Sequence, residues 1–184
     1  AVGIEAWPIH YDMPAMVVHL PDGQQIACHN QDNRWEEYKV AFGKKAPEFF
    51  RWQEKTADLL WRFALRAPSW PIKSVRDILS IFGALDTKLL ANSPQLLVDV
   101  FRPIGSKLKN MPANMRLFID GQLLISAQTT SEYANALYSA SALDLPRRGV
   151  AHLANGIGGL TTILVDIIRT NGGKVIFRQE VEKI

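Results

Sequence analysis

The residues whose chemistry reaches beyond packing are few: four histidines, one cysteine and a glycine run at Gly156-Ile157-Gly158-Gly159. His10, His19, His29 and His152 are scattered, and none stands in the H-x-x-x-H or H-E-x-x-H spacing that lets one helix face grip zinc. With Cys28 as its lone thiol, the chain has neither a disulfide framework nor a cysteine-cluster metal site, so no metal is expected. No Ser/His/Asp or Cys/His arrangement can be assembled, and no spacing pairs the carboxylates Glu132, Asp144 and Asp166. The glycine run is more informative. A glycine turn feeding a helix lets a ligand or another backbone come close, and the helix N-terminus favours negative charge there. Tight helix packing explains the same run. The dinucleotide fingerprint is excluded, because the third glycine of G-x-G-x-x-G is missing at its spacing. Ahead of the run, Arg147 and Arg148 form a basic pair that reads as a solvated loop, with a lipid headgroup or a cofactor phosphate as its alternative partners.

The elements that must position this run are legible around it. Residues 149–153 read as a short strand, 155–159 as the turn and 160–171 as a helix, with apolar residues at Leu160, Ile163, Leu164, Ile167 and Ile168 spaced by three and four. Gly172-Gly173 stops the helix, and Val175-Ile176-Phe177 predicts a buried strand over 174–177. Nearer the start, residues 16–20 and 25–28 flank Asp22-Gly23 and read as a hairpin. A strong amphipathic helix is expected over 47–67, broken at Pro68-Ser69-Trp70-Pro71. Ser74 then caps a helix from Val75 to about Leu90, with Asp77 in its first turn. Further helices are expected over 94–108, with a break or bend near Pro103, over 113–127 and over 131–143. Strands split around a helical middle predict an α+β arrangement and not a doubly wound sheet.

At 184 residues with 47% apolar and 21% charged content, the chain has the composition of an ordinary globular domain. No run of ~18 uncharged apolar residues is present to span a membrane. The net charge of +3 is unevenly spread: acidic and basic residues number 6 and 2 over 1–40, 7 and 13 over 41–120, and 5 and 6 over 121–184. The basic middle is interleaved with Phe49, Phe50, Trp52, Trp61, Phe63, Trp70 and Phe82. Such a mixture suits an anionic membrane surface, or else a core of aromatics beneath a solvated face of lysines. No nucleic-acid partner is expected, since no recognised reader motif is present. The sequence opens in strand-like text and closes on another strand-like stretch, so it reads as an excised fragment.

Several phrases together carry a resemblance. Gly156, Ile157, Gly158 and Leu160, then Gly172-Gly173, then Val181 and Ile184 match a phrase of the form G-G-(M/V/I)-G-x-L, a helix, a glycine turn and x-V-x-x-I. Asn155 stands where the first glycine of that phrase usually does. The preceding QLLISAQTTSEYANALYSASALDLPRRGVAHL, the Leu20-Pro21-Asp22-Gly23 turn and Asn33-Arg34-Trp35-Glu36-Glu37-Tyr38-Lys39 fit in the same order. The chain thus resembles FAD-dependent carotenoid oxidoreductases of the phytoene desaturase and carotenoid isomerase group, within the amine oxidase-like flavoproteins. Residues 117–184 carry most of the signal.

The resemblance implies a fragment of a two-domain FAD-dependent oxidoreductase. Residues 1–148 would be its substrate-binding domain, whose helices enclose a lipophilic tunnel, and 149–184 a strand, helix and strand returning towards the FAD domain. It implies a polyene substrate, desaturated, oxidised or isomerised by hydride or electron exchange with the flavin, and a cytoplasmic protein peripheral to a membrane. Gly156 and Gly158 would lie at the cofactor. The backbone of Val181 would hold the adenine, unless Val181 is a core valine at a strand end. His152 would be a proton carrier or polar anchor, with a structural histidine as the alternative. The fragment alone is expected to be inactive, to bind FAD only weakly and to dimerise through a strand edge at 175–184. The competing account is a non-enzymatic helical module that grips a membrane or a partner, its glycine turn purely structural.

Overall fold

The computed structural model describes residues 7–29, 34–66, 71, 73–84 and 94–183. In chain order its elements are β1 (Ile9–Tyr11), β2 (Met16–His19), β3 (Gln25–Cys28), α1 (Arg34–Phe42), α2 (Ala46–Leu65) and α3 (Val75–Ala84). There follow α4 (Pro94–Asp99), a 3₁₀ turn (Ile104–Lys107), α5 (Ala113–Ser126), α6 (Ala136–Ala142), α7 (Leu145–Arg148), β4 (Ala151–Leu153) and α8 (Gly156–Thr170). Helix and sheet are thus mixed, as expected. The chain divides into two compact units, Ala1–Asp12 with Val150–Ile184, and Met13–Gly149.

In the unit Met13–Gly149, β2 and β3 pair antiparallel from Met16↔Cys28 to His19↔Gln25. Asp22 Oδ1 accepts from the Gln24 N–H at 3.0 Å and Gly23 turns the chain at φ +85°, a conformation glycine adopts without strain. The hairpin predicted from Asp-Gly is therefore present. Its inward residues Ile26 and Cys28 join Tyr38 and Phe42 of α1, Phe49 and Phe50 of α2, and Met115, Phe118, Ile119 and Leu123 of α5 in one core. Tyr38 stacks on Phe50 at 4.1 Å between ring centroids, and Phe42 meets Phe118 at 5.1 Å. Each fully buried aromatic or aliphatic side chain here contributes roughly 1.5–3 kcal/mol. Gln53 of α2 donates to the Ala140 carbonyl of α6 at 2.7 Å, so the polar atom this packing buries is satisfied.

Ser74 caps α3 as its position predicts: its Oγ accepts from the Asp77 N–H at 3.3 Å and donates to Asp77 Oδ2 at 2.8 Å. The expected continuation from Ala84 to Leu90 lies outside the described residues. The break expected near Pro103 is present: the stretch 94–108 is two pieces, because Pro103 is extended at ψ 149° and the chain restarts as a 3₁₀ turn. One helix differs from expectation. The helix expected from Ser131 starts at Ala136. Residues 131–135 instead bond across to neighbours, Ser131 and Ala134 accepting from the Gly105 and Ile104 N–H groups, and Asn135 Oδ1 caps Leu137 and Tyr138.

In the other unit, β1 and β4 pair antiparallel with the register Ile9↔Leu153, His10↔His152 and Tyr11↔Ala151. α8 packs back on β4. It begins at Gly156, earlier than the expected 160, because Asn155 takes the left-handed conformation at φ 65° and Gly156 follows at the same φ. The apolar stripe of α8 is half-buried, and no residue of the helix is fully buried. After Gly172 the strand expected over 174–177 is not formed: residues 174–177 pair with no other strand among the described residues. Ile176 and Phe177 of this stretch are exposed.

Candidate functional site

The histidine singled out by its place before the glycine run lies on β4 with unexpected company. Because residues two apart on a strand share a face, and the residue directly opposite shares it too, the register gathers His10, Asp12 and His152. His152 Nε2 lies 2.7 Å from Asp12 Oδ2, while His10 Nε2 stands 3.8 Å from Asp12 Oδ1. The two imidazole centroids are 5.5 Å apart. Asp12 is itself fixed, its N–H donating to the Val150 carbonyl at 3.1 Å. The side chains of His152 and Asp12 are 56% and 39% exposed, which leaves the group open to a ligand. Three residues beyond His152, Asn155 opens the glycine run. A Cβ added at Gly156 or Gly158 would meet nothing within 4 Å, whereas one at Gly159 would fall 2.5 Å from the Ala154 carbonyl oxygen, so the start of α8 is open at its first turn and packed at Gly159. Val181 lies beyond α8, 74% exposed, in chain that is not a strand.

Asp12 went unread in the sequence and His10 was set aside as a scattered histidine, although the His10-x-Asp12 spacing would have placed both on one face of any strand there. His152 was read, but its carboxylate partner is far off in sequence.

The basic pair Arg147-Arg148, expected in a solvated loop, belongs instead to α7 and to an ion-pair cluster in the unit Met13–Gly149. Arg147 donates to Asp144 at 2.6 and 3.0 Å and to Asp58 at 2.6 Å, and Arg148 donates to the same two carboxylates at 2.7 and 2.8 Å. Beside them Arg34 forks onto Glu54 with two bonds of 2.9 Å. Asp144 has no solvent exposure. Burial works against charge on Arg147, but the bonds and attraction of Asp144 and Asp58 outweigh it and raise its pKa. Arg34, Glu54, Tyr38, Gln53 and Gln122 line a cavity of about 20 Å³, room for a single water molecule. The pair thus locks α7 onto α2 and is committed to the protein's own carboxylates.

Cys28 is buried in the same unit. Burial pushes its thiol up to about 12, the Tyr38 hydroxyl pulling the other way and the Glu37 charge adding to the rise, so it is no nucleophile at neutral pH. Among the described residues no group of three or more His, Cys, Asp or Glu is arranged to hold a metal ion, and no helix is long and apolar enough to cross a membrane. No protein-family model, curated protein or solved structure matches this chain.

Proposed function

We propose that this chain is the substrate-binding portion of an FAD-dependent oxidoreductase that desaturates, oxidises or isomerises a lipophilic polyene of the carotenoid class. The observation that carries the reading is the path β4, Asn155, Gly156, α8: a strand bearing a reachable imidazole runs straight into a glycine-built helix start. The order of motifs across the chain supports it. So does the other unit, Met13–Gly149, a helix-rich stretch that supplies apolar faces. On α5 that supply is visible, because Leu117, Leu124 and Ile125 are exposed at 51, 54 and 78% while its opposite face is core.

The residues present are compatible with the cofactor. Gly156 and Gly158 leave space for a close approach, and the Val181 N–H and C=O make no backbone hydrogen bond among the described residues, which leaves both available to an adenine edge. FAD, when bound, would supply the hydride acceptor that an apolar site cannot. The protein's part is to hold the polyene and keep water away from it. On this reading the chain contacts a lipophilic substrate and works at the surface of a membrane in the cytoplasm.

The test is to express the complete reading frame that contains this chain and measure flavin absorbance together with conversion of linear carotenes in liposomes. A stoichiometric flavin with a shift of the polyene spectrum is expected. A protein without flavin that leaves every polyene unchanged overturns the proposal, and stoichiometric FAD on the 184-residue chain alone overturns the expectation that this portion binds the cofactor only weakly.

A further inference from the structure

We infer that Asp12, His152 and His10 form an acid–base site on the β1–β4 ribbon, with His152 as proton acceptor, Asp12 as its positioning residue and His10 as the relay to solvent. The geometry fixes the roles. Asp12 Oδ2 lies 2.7 Å from His152 Nε2, which places the carboxylate to hold a proton on Nε2 and to leave the free electron pair of the neutral imidazole at Nδ1. A carboxylate in that place orients an imidazole and stabilises the cation formed when it takes a proton. His10, with its ring centroid 5.5 Å away and its Nε2 3.8 Å from the second Asp12 oxygen, is the next group the proton reaches. Among the described residues, no ion pair other than that with Asp12 engages His152, so no other group competes for the role.

The substrate class rests on the function proposed above. Desaturation removes hydrogens from two adjacent carbons. FAD, when bound, would supply the acceptor for one hydrogen leaving with both electrons of its C–H bond. The neighbouring C–H gives its hydrogen as a proton to His152 Nδ1, and the electron pair left behind becomes the second bond of the new C=C. The imidazolium then faces the Asp12 carboxylate and passes its proton to His10 and water.

Nitrogen-15 NMR of the imidazole rings in the full 184-residue chain tests the geometry with no flavin present. For the wild type, His152 is expected in the Nε2–H form, and in Asp12→Asn it shifts to the Nδ1–H form, because the amide offers a donor where the carboxylate offered an acceptor. The inference fails if wild-type His152 carries its proton on Nδ1, or if Asp12→Asn leaves the tautomer unchanged. In the flavin-loaded parent, His152→Gln is expected to lower kcat by about 10²-fold or more at nearly constant KM, as loss of a positioned base does. Asp12→Glu is expected to recover part of what Asp12→Asn loses. Wild-type turnover in Asp12→Asn, with flavin bound, overturns the positioning role. A parent without flavin or polyene conversion removes the proposed function instead, and the ring spectra still decide whether Asp12 sets the tautomer.

Discussion

Arg147 Nε lies 2.6 Å from Oδ1 of Asp144, a carboxylate with no solvent exposure. Asp144 also takes the guanidinium of Arg148, and both arginines reach on to Asp58. Removing the buried partner leaves the two cations with half-exposed Asp58 and, for Arg147, a Glu54 oxygen 4.0 Å away. Asp144→Ala is therefore expected to cost about 3–5 kcal/mol, the usual loss when one member of a buried pair is deleted. Arg148 is 40% exposed, and Arg148→Ala is expected to cost about 1 kcal/mol or less. Urea titration of both variants checks this through the midpoint at constant slope. Equal midpoints would show that the cluster is not the lock described.

Why this cluster was misread is instructive. Arg147 and Arg148 sit among turn residues, and their partner Asp58 is separated from them by 89 and 90 residues, so no local pattern betrays the pairing. Signals contained in a few residues fared better. The Asp22-Gly23 turn, the Ser74–Asp77 cap and the spacing of three and four in α2 and α5 each specify their element without help from elsewhere. Where a distant partner decides, local reading failed: Val175-Ile176-Phe177 has strand propensity but meets no ladder, and residues 131–135 spend their bonds on the 3₁₀ turn. For the candidate site, His152 was legible from its place before Gly156, whereas Asp12 needed the β1–β4 register.

Two glycines respond oppositely to alanine. A Cβ on Gly105 would fall 2.7 Å from the Ser131 carbonyl oxygen and 3.2 Å from its carbon, both backbone atoms already tied to Gly105 by a hydrogen bond. Gly105→Ala must push two segments apart and is expected to destabilise by about 1–3 kcal/mol, as overpacking does. Gly121, inside α5, has nothing within 4 Å of the added atom. Gly121→Ala should then stabilise by about 0.5–1 kcal/mol, the helical advantage of alanine over glycine. Thermal melts of the two variants should move in opposite directions, and a shared direction would contradict the packing around Gly105.

Cys28 gives a pH window. Its thiol is pushed from the ordinary 9.0 to about 12, so the folded protein holds that proton more tightly than the unfolded chain does. The sign follows: this contribution to stability is full below pH 9.0 and is lost as pH rises from there towards about 12. Cys28→Ala should flatten that alkaline loss when stability is measured across pH 8.5 to 11. The native thiol should also resist a disulfide reagent at pH 8 until the protein is unfolded. Rapid labelling of the native protein would mean that Cys28 is not buried as described.

α8 and α5 are both apolar helices, yet they differ in what covers them. α5 buries Met115, Phe118, Ile119, Gln122 and Leu123, while α8 buries no residue fully. A helix whose stripe is only half covered opens with little loss of packing, and amide exchange reports that opening. In the isolated chain, peptides from α8 should exchange roughly 10²-fold or more faster than those from α5, the gap separating marginal elements from a core. Equal protection at every concentration would show that α8 is well covered within the chain itself. Protection that grows with concentration would show that a second copy covers it. In the complete reading frame, if α8 is the helix returning towards a flavin domain, its exchange should slow towards that of α5 and slow again when flavin is bound. Unchanged exchange on going to the complete protein would separate α8 from any such domain, and the proposed function would lose its main structural support.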